Sequence, residues 1–415
     1  MKHILWIGLV LVAFLGQAQD LNSLYKQSME AYKNKDFQKF KALNQEALTI
    51  HPSQPTILYN LAASYSLTGD AQSAKSILQQ LLSWNALVEF EKDADFEAMV
   101  AASDLLPELQ QVSKTFQTPK TTSEDYAEID AQYHIEDLVQ VGSTLYMTDI
   151  REGRLIAYDL NTKQSEVLLK LPGALLTIVS DTFHKSVWVS MAALPQFQGI
   201  SNEKEQKARL VEFDITKKEI ITEITLPDKA VVGSMVMDQQ GRLYASNSGK
   251  PEIFVIDTRK KELIETIAVP DAKNLQGITL DPNNECLYVA DYIKGICKIN
   301  IKDTDKTPVW MHSSQYLLKG IDGLTYLDEK TLLSIQNNTT PKRLIKINHD
   351  EMRVVDVLLL DNALPVSGEP TNGSYDPEIG FMYITNSQWP HYDKEAQPIL
   401  DQWEPQKIRL LKLGK

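Results

Sequence analysis

Six copies of one strand pair follow one another after Tyr126, and this repeat constrains the fold more than anything else in the chain. They read TLYMTDIREGRLIAYDL, SVWVSM leading to ARLVEFDI, RLYASNSGKPEIFVIDT, CLYVADYIKGICKINI, TLLSIQNNTTPKRLIKI, and FMYITNS leading to KIRLLKL. Each sets an apolar–aromatic–apolar strand before a second strand that ends at a charged turn. The centres recur about every 40 to 57 residues, the size of a four-stranded blade. An isolated meander cannot bury both faces, whereas blades around an axis stack face to face and leave only short edges. The repeat therefore predicts a six-bladed β-propeller over residues 126–415, closed by pairing KIRLLKLGK with YAEIDAQY in one blade. A parallel β-helix would need much shorter repeats.

The chain before the repeat has a different period. Residues 1–18 place Lys2 ahead of an apolar run from Ile4 and small residues at Gly16 and Ala18, the pattern of a signal peptide. The run is too short to span a bilayer, so a periplasmic or extracellular protein with no membrane span is expected. Residues 19–112 read as helical hairpins. SLYKQSMEAYKNKDFQKFKALNQEALTIHP turns at Lys35-Asp36, PTILYNLAASYSLTGDAQSAKSILQQLL turns at Gly69-Asp70, and EFEKDADFEAMVAASDLLPEL forms a degenerate third unit. The small residues between facing helices resemble the tetratricopeptide repeat, which implies a curved surface for a protein partner or a cap packed on the propeller. Polar residues 113–125 are the expected linker. The whole is an α plus all-β multidomain chain.

The formal net charge of −13 falls to about −14 without Lys2, an acidic balance that argues against nucleic acid and anionic membrane as partners. Cys286 and Cys297 are the only cysteines. They fall on neighbouring strands of one hairpin, turning near Ile293, in a register that does not oppose them. Two packed thiols are expected rather than a disulfide.

In a propeller the innermost strand of each blade starts beside the central channel, and the loop between the second and third strands returns to the same face. Two rings of residues meet there. Glu136, Leu176, Gly233, Gln276, Asp322 and Thr371 open the inner strands, and Asp149, Met191, Asn247, Asp291, Gln336 and Asn386 close the second strands. Carboxylates and carboxamides around one axis suit Ca²⁺ or Mg²⁺. An Asp or Asn ending a strand can equally cap the turn that follows. Glu136 and Asp322 precede apolar strands where solvation is poor, which marks them as candidate ligands or catalytic groups.

IEDLVQVGSTLYMTDIREGRLIAYD resembles the first blade of the senescence-marker-protein/gluconolactonase family, and QGITLDPNNECLYVADY and IDGLTYLDEKTLLSI are similar to its later motifs. The resemblance implies a six-bladed lactone hydrolase with one divalent cation on the channel axis. Glu136, Gln276 and Asp322 would be its ligands, with Asp322 also the general base. Gln276 stands where the family has Asn, and Gly233 replaces a further substrate-side Asn.

Two insertions share this face, ALPQFQGISNEKEQK in blade 2 and QWPHYDKEAQPILDQWEPQ in blade 6. Trp389, His391, Tyr392 and Trp403 of the second, together with Asn247 and Asp291, are the candidate substrate contacts, aromatics being suited to stacking on sugars. No Gly-x-Ser-x-Gly nucleophile motif is present. The expected activity is metal-dependent hydrolysis of a lactone or related ester, with a small lactone or sugar-derived ligand. The alternative is a non-catalytic propeller whose helical repeats dock a protein.

Overall fold

The computed structural model describes residues 21–413 except 52–53, 102–104, 182–183, 200–206, 314 and 365–366. The leader read in residues 1–18 lies outside the described residues. Six helices come first: α1 (Leu21–Lys33), α2 (Phe37–Ile50), α3 (Pro55–Leu67), α4 (Ala71–Trp84), α5 (Glu97–Ala101) and α6 (Leu105–Gln117). Both predicted turns work by the same device. A left-handed residue, Lys35 at φ 58° or Gly69 at φ 85°, precedes an Asp that caps the next helix. Asp36 accepts from Lys39 N at 3.1 Å and Asp70 from Ser73 N at 3.1 Å, satisfying amide groups the helix cannot. Ala31, Ala47, Ala62 and Ala74 are buried where the helices meet.

Twenty-four strands follow, in six antiparallel sheets of four. Blade 1 is β2 (Ile135–Val141), β3 (Thr144–Asp149), β4 (Arg154–Asp159) and β5 (Gln164–Lys170); blade 2 is β6 (Ala174–Asp181), β7 (Ser186–Ala192), β8 (Arg209–Asp214) and β9 (Glu219–Thr225). Blade 3 is β10 (Val232–Met237), β11 (Arg242–Asn247), β12 (Glu252–Asp257) and β13 (Glu262–Ala268); blade 4 is β14 (Leu275–Leu280), β15 (Cys286–Asp291), β16 (Gly295–Asn300) and β17 (Val309–Trp310). Blade 5 is β18 (Ile321–Asp328), β19 (Thr331–Gln336), β20 (Arg343–Asp350) and β21 (Arg353–Asn362). Blade 6 takes β22 (Gly373–Asp376), β23 (Gly380–Ile384) and β24 (Gln406–Leu411) from the C-terminal end and β1 (Glu124–Ile129) from the other. The predicted closure is therefore present, with Ala127 opposite Ile408 and Glu128 opposite Lys407.

Burial explains the sequence pattern. Second strands such as β7 are buried on both faces, so they read as continuous apolar runs, while outer strands such as β5 and β9 are mostly exposed. Each gap between blades holds its own apolar cluster, and the one between blades 6 and 1 joins Met382 and Ile408 to Leu145 and Ile156. Each fully buried Leu or Ile there is worth about 1.5–3 kcal/mol relative to exposure. Cys286 lies opposite Asn300, and Cys297 opposite Val289. Both thiols are free, and Cys297 is buried.

Residues 113–125 are more ordered than their composition suggests. The helix continues to Gln117 and the closing strand starts at Glu124. Between them, Lys120 and Asn362 exchange two backbone hydrogen bonds of 3.0 and 2.9 Å, and Asp361 accepts from Ser123 N at 3.1 Å. The helices are docked on blade 5. Asn85 bridges Thr340, Ser83 O accepts from Arg343 Nη1 at 2.6 Å, Lys319 lies 5.0 Å over the Trp84 ring, and Leu317 joins the helical core.

Candidate functional site

Inner strands begin with an irregularity that decides where their side chains point. Pairing is lost between Ile135 and Leu138, between Leu275 and Ile278, and between Ile321 and Leu324. Glu136, Gln276 and Asp322 are the first residues inside these bulges, and a bulge re-aims the side chains it carries. The next residue differs by blade. Asp137 turns to blade 2, where its carboxylate accepts from Thr177 Oγ1 at 2.7 Å and Ile178 N at 3.1 Å. Blade 4 has Gly277 instead, where a Cβ would lie 2.5 Å from both Asp322 O and Leu324 N.

Glu136 and Asp322 converge electrostatically. Burial lifts the Glu136 carboxyl well above the usual range, and the Asp322 charge lifts it further. Burial likewise raises Asp322, and the nearby Glu369 adds to it. Glu369 is itself raised by burial and partly restored by Lys342 Nζ at 3.3 Å. Each acid has one neutral or cationic partner that only partly compensates. Trp389 Nε1 donates to Glu136 Oε2 at 2.6 Å, and Asn337 Nδ2 donates to Asp322 Oδ2 at 2.7 Å. Partly desolvated carboxyls that raise one another in this way favour protonation or a nearby cation. Carboxylate oxygens are donors of the kind that suits a hard divalent ion such as Ca²⁺ or Mg²⁺, although the ligand atoms of these three do not all lie within 4.8 Å of one another.

Gln276, the third predicted ligand, is engaged by neighbouring side chains. Its Nε2 donates to Asn274 Oδ1 at 2.6 Å, and its Oε1 lies 3.5 Å from Ser248 Oγ. A Cβ on Gly233 would come within 2.7 Å of that Oε1, so the longer side chain occupies the space Gly233 leaves. Asn372 Nδ2 of blade 6 also donates to Gly233 O of blade 3 at 3.0 Å, tying opposite blades across the axis.

The second ring is committed to the backbone. Asp291 accepts from Lys273 N, Asn274 N and Lys294 N at 2.6 Å each and from Ile293 N at 3.0 Å. Asn247 accepts from Val231 N and Gly249 N at 3.0 Å and donates to Glu252. Asp149 accepts from His134 N at 2.9 Å and pairs with Arg154 at 2.6 Å. These side chains clasp the loops that lead into the inner strands. Neither Asn247 nor Asp291 turns its side chain toward Glu136 or Asp322 in these bonds.

The blade 6 insertion folds over blade 1. Trp389 reaches Glu136, while the Tyr392 hydroxyl meets His134 Nδ1 at 2.8 Å. His134 is fully buried and edges Trp389 at 4.8 Å; burial pushes its imidazole down to about 3, so it is neutral. Trp403 lies under Arg151 at 5.3 Å and donates to His391 O at 3.3 Å, and His391 Nδ1 stands 3.3 Å from Gln402 Oε1. Gln198 of the blade 2 insertion donates to Gln397 at 3.2 Å, so the two insertions meet. Of the four predicted residues, Trp389 alone touches a channel carboxylate in these contacts.

Beside the carboxylates opens a cleft of about 400 Å³ whose walls include Trp84 and Asn85 of the helices and Tyr292, Asn337, Lys342 and Glu369 of the propeller. Asn337 connects it to the channel, since its carbonyl accepts from Tyr292 OH at 2.8 Å while its amide holds Asp322. Glu369, Asn337 and Tyr292 escape a reading by blade alignment. Counting back from the second strand selects Thr371, two residues past Glu369, whose place in the Gly-Glu-Pro run was the available signal.

No protein-family model matches the chain, and no curated protein matches it in sequence. Solved structures match in fold. The major allergen Mala s 1 of Malassezia sympodialis is 13% identical with a TM-score of 0.50, over 71% of this chain and 96% of its own. Hydrazine synthase of Kuenenia stuttgartiensis is 15% identical with a TM-score of 0.45, over 62% and 75%. A chain of the nidogen/laminin complex is 16% identical with a TM-score of 0.42, over 55% and 80%.

Proposed function

We propose that the propeller is an exported divalent-metal-dependent hydrolase of the gluconolactonase type, acting on a lactone or related ester. The observation that carries this reading is that Glu136 and Asp322, at the starts of two inner strands, raise each other's proton affinity and that Glu369 adds to the effect, a concentration of negative charge that favours a cation. Glu136 and Asp322 would hold Ca²⁺ or Mg²⁺, with Glu369 near enough to share its charge. The bound cation would polarise the substrate carbonyl and acidify a water. Asp322, ionised beside the cation, would take the proton of the attacking water and return it to the departing ring oxygen. Asn337 holds that carboxylate in position. Trp389 borders the same carboxylates and would stack on the ligand.

The test is hydrolysis of gluconolactone by purified full-length protein. Activity that needs added Ca²⁺ or Mg²⁺, vanishes with chelator and falls at least about 100-fold in Asp322→Asn is expected. No hydrolysis with cation supplied, or an undiminished Asp322→Asn variant, overturns the reading. A second reading, a binding protein whose tetratricopeptide-like helices dock a partner, is favoured by one observation: Trp84 and Asn85 of the helical region form part of the cleft wall.

A further inference from the structure

The opposite face of blade 2 carries a second group of metal-ligating side chains, unrelated to the channel. His184, just before β7, lies against Asp181 at the end of β6, and β8 places Glu212 beside them. One ligand atom from each lies within 4.8 Å of the other two. The register explains the meeting. Asp181 is opposite Ser186, and Glu212 is opposite Trp188, two residues further along β7, so all four side chains stand on one face of the sheet.

Burial makes the arrangement costly as it stands. Asp181 is 2% exposed and Glu212 4% exposed. Glu212 Oε1 accepts from the neutral Ser186 hydroxyl at 2.9 Å, and among the described residues no lysine or arginine pairs with it. His184 Nδ1 lies 2.7 Å from Asp181 Oδ2, and its ring is half exposed at the rim. Asp181 also accepts from His184 N at 3.2 Å, and a cation between the two carboxylates would relieve their mutual repulsion.

We propose that Asp181, His184 and Glu212 form a binding site for one zinc-class divalent ion. One imidazole nitrogen with two carboxylates is a borderline donor set, suited to Zn²⁺ rather than to the Ca²⁺ or Mg²⁺ expected at an all-oxygen site. Tetrahedral zinc bonds of about 2.0–2.2 Å set the ligand atoms about 3.3–3.6 Å apart, roughly 1.2–1.5 Å inside their present outer limit. The exposed side of His184 leaves a fourth position to water. The ion would staple the β6–β7 turn to β8, a structural role at the far end of the propeller from the channel.

Zinc alone is the probe, added to chelator-stripped full-length protein, with bound metal counted after dialysis and melting followed in parallel. Wild type and Asp322→Asn should each retain one equivalent and melt about 2–4 °C higher with zinc. His184→Ala, a change at an exposed ring that leaves the core intact, should lose both the equivalent and the shift, as should Glu212→Gln. Cobalt substitution should give a visible absorption band in wild type that is absent from His184→Ala. Retention of zinc by His184→Ala, its absence from wild type, or its loss in Asp322→Asn alone would each overturn the proposal, the last by moving the ion to the channel.

Discussion

Asp322 and Asp291 sit on neighbouring propeller blades at the same face, one at the start of an inner strand and the other at the end of a second strand, and they are opposite in kind. Asp291 is fully buried and content: four backbone amides share its two oxygens. Asp322 has one carboxamide and two acidic neighbours, and its proton affinity climbs. Residue type does not distinguish them, and the more exposed of the two, Asp322, is the one whose proton affinity is raised. What differs is where the lone pairs end, on fixed amides in one case and facing other carboxylates in the other. A satisfied acid holds loops, and a frustrated one is available for chemistry.

The largest effect that could break this contrast is on stability. Asp291→Ala strands four amides and should cost about 3–5 kcal/mol in urea unfolding. Asp322→Asn should leave metal-free stability at pH 8 unchanged or raise it by about 1 kcal/mol, since it removes a repelled charge. Equal losses in the two variants would erase the distinction.

Next in size is the pH dependence. Glu136 and Asp322 are raised, and burial lifts Asp137 to about 7. Acids raised on folding contribute stability below their unfolded values near 4, and that contribution is lost as pH climbs through the raised values. His134, lowered to about 3, acts in the other direction, its contribution present above about 6.5 and lost as pH falls. Metal-free protein should therefore weaken by a few kcal/mol between about pH 5 and 8, read from urea midpoints with chelator present. Asp137→Asn should flatten this slope, and an unchanged slope would show that the acid is not the source.

Smaller effects sharpen the picture around the mouth. Gly233→Ala puts a methyl 2.5 Å from Ser248 Oγ and 2.7 Å from Gln276 Oε1, both side-chain ends that can shift, so about 1 kcal/mol is expected. Trp389→Phe removes the indole bond to Glu136 and should weaken Ca²⁺ binding about fivefold in a calorimetric titration.

Much of the fold was legible because a propeller repeats its burial pattern. The runs LYMTD, VWVSM and LYVAD announce second strands buried on both faces, and KIRLLKL was recognisable as the strand that pairs with YAEIDAQY to close the ring. The tight segment at 118–123 was not legible, because its polar composition conceals partners at Asp361 and Asn362, some 240 positions away. At the site, Glu136 and Asp322 followed from blade alignment. Alignment places Gln276 on its strand without giving its partners, Asn274 and Ser248, which the carboxamide meets where Gly233 leaves room. Glu369 was missed because blade 6 departs from the spacing on which the alignment relied.

The central claim is that Glu136, Asp322 and Glu369 share a proton that a divalent cation displaces. Calorimetric titration of chelator-stripped protein with Ca²⁺ near pH 7, in buffers of different ionisation enthalpy, measures this directly. The account predicts saturable binding with release of about one proton per ion, and loss of both in Asp322→Asn. Absence of binding, binding without proton release, or an Asp322→Asn variant that binds and releases as wild type does would contradict it.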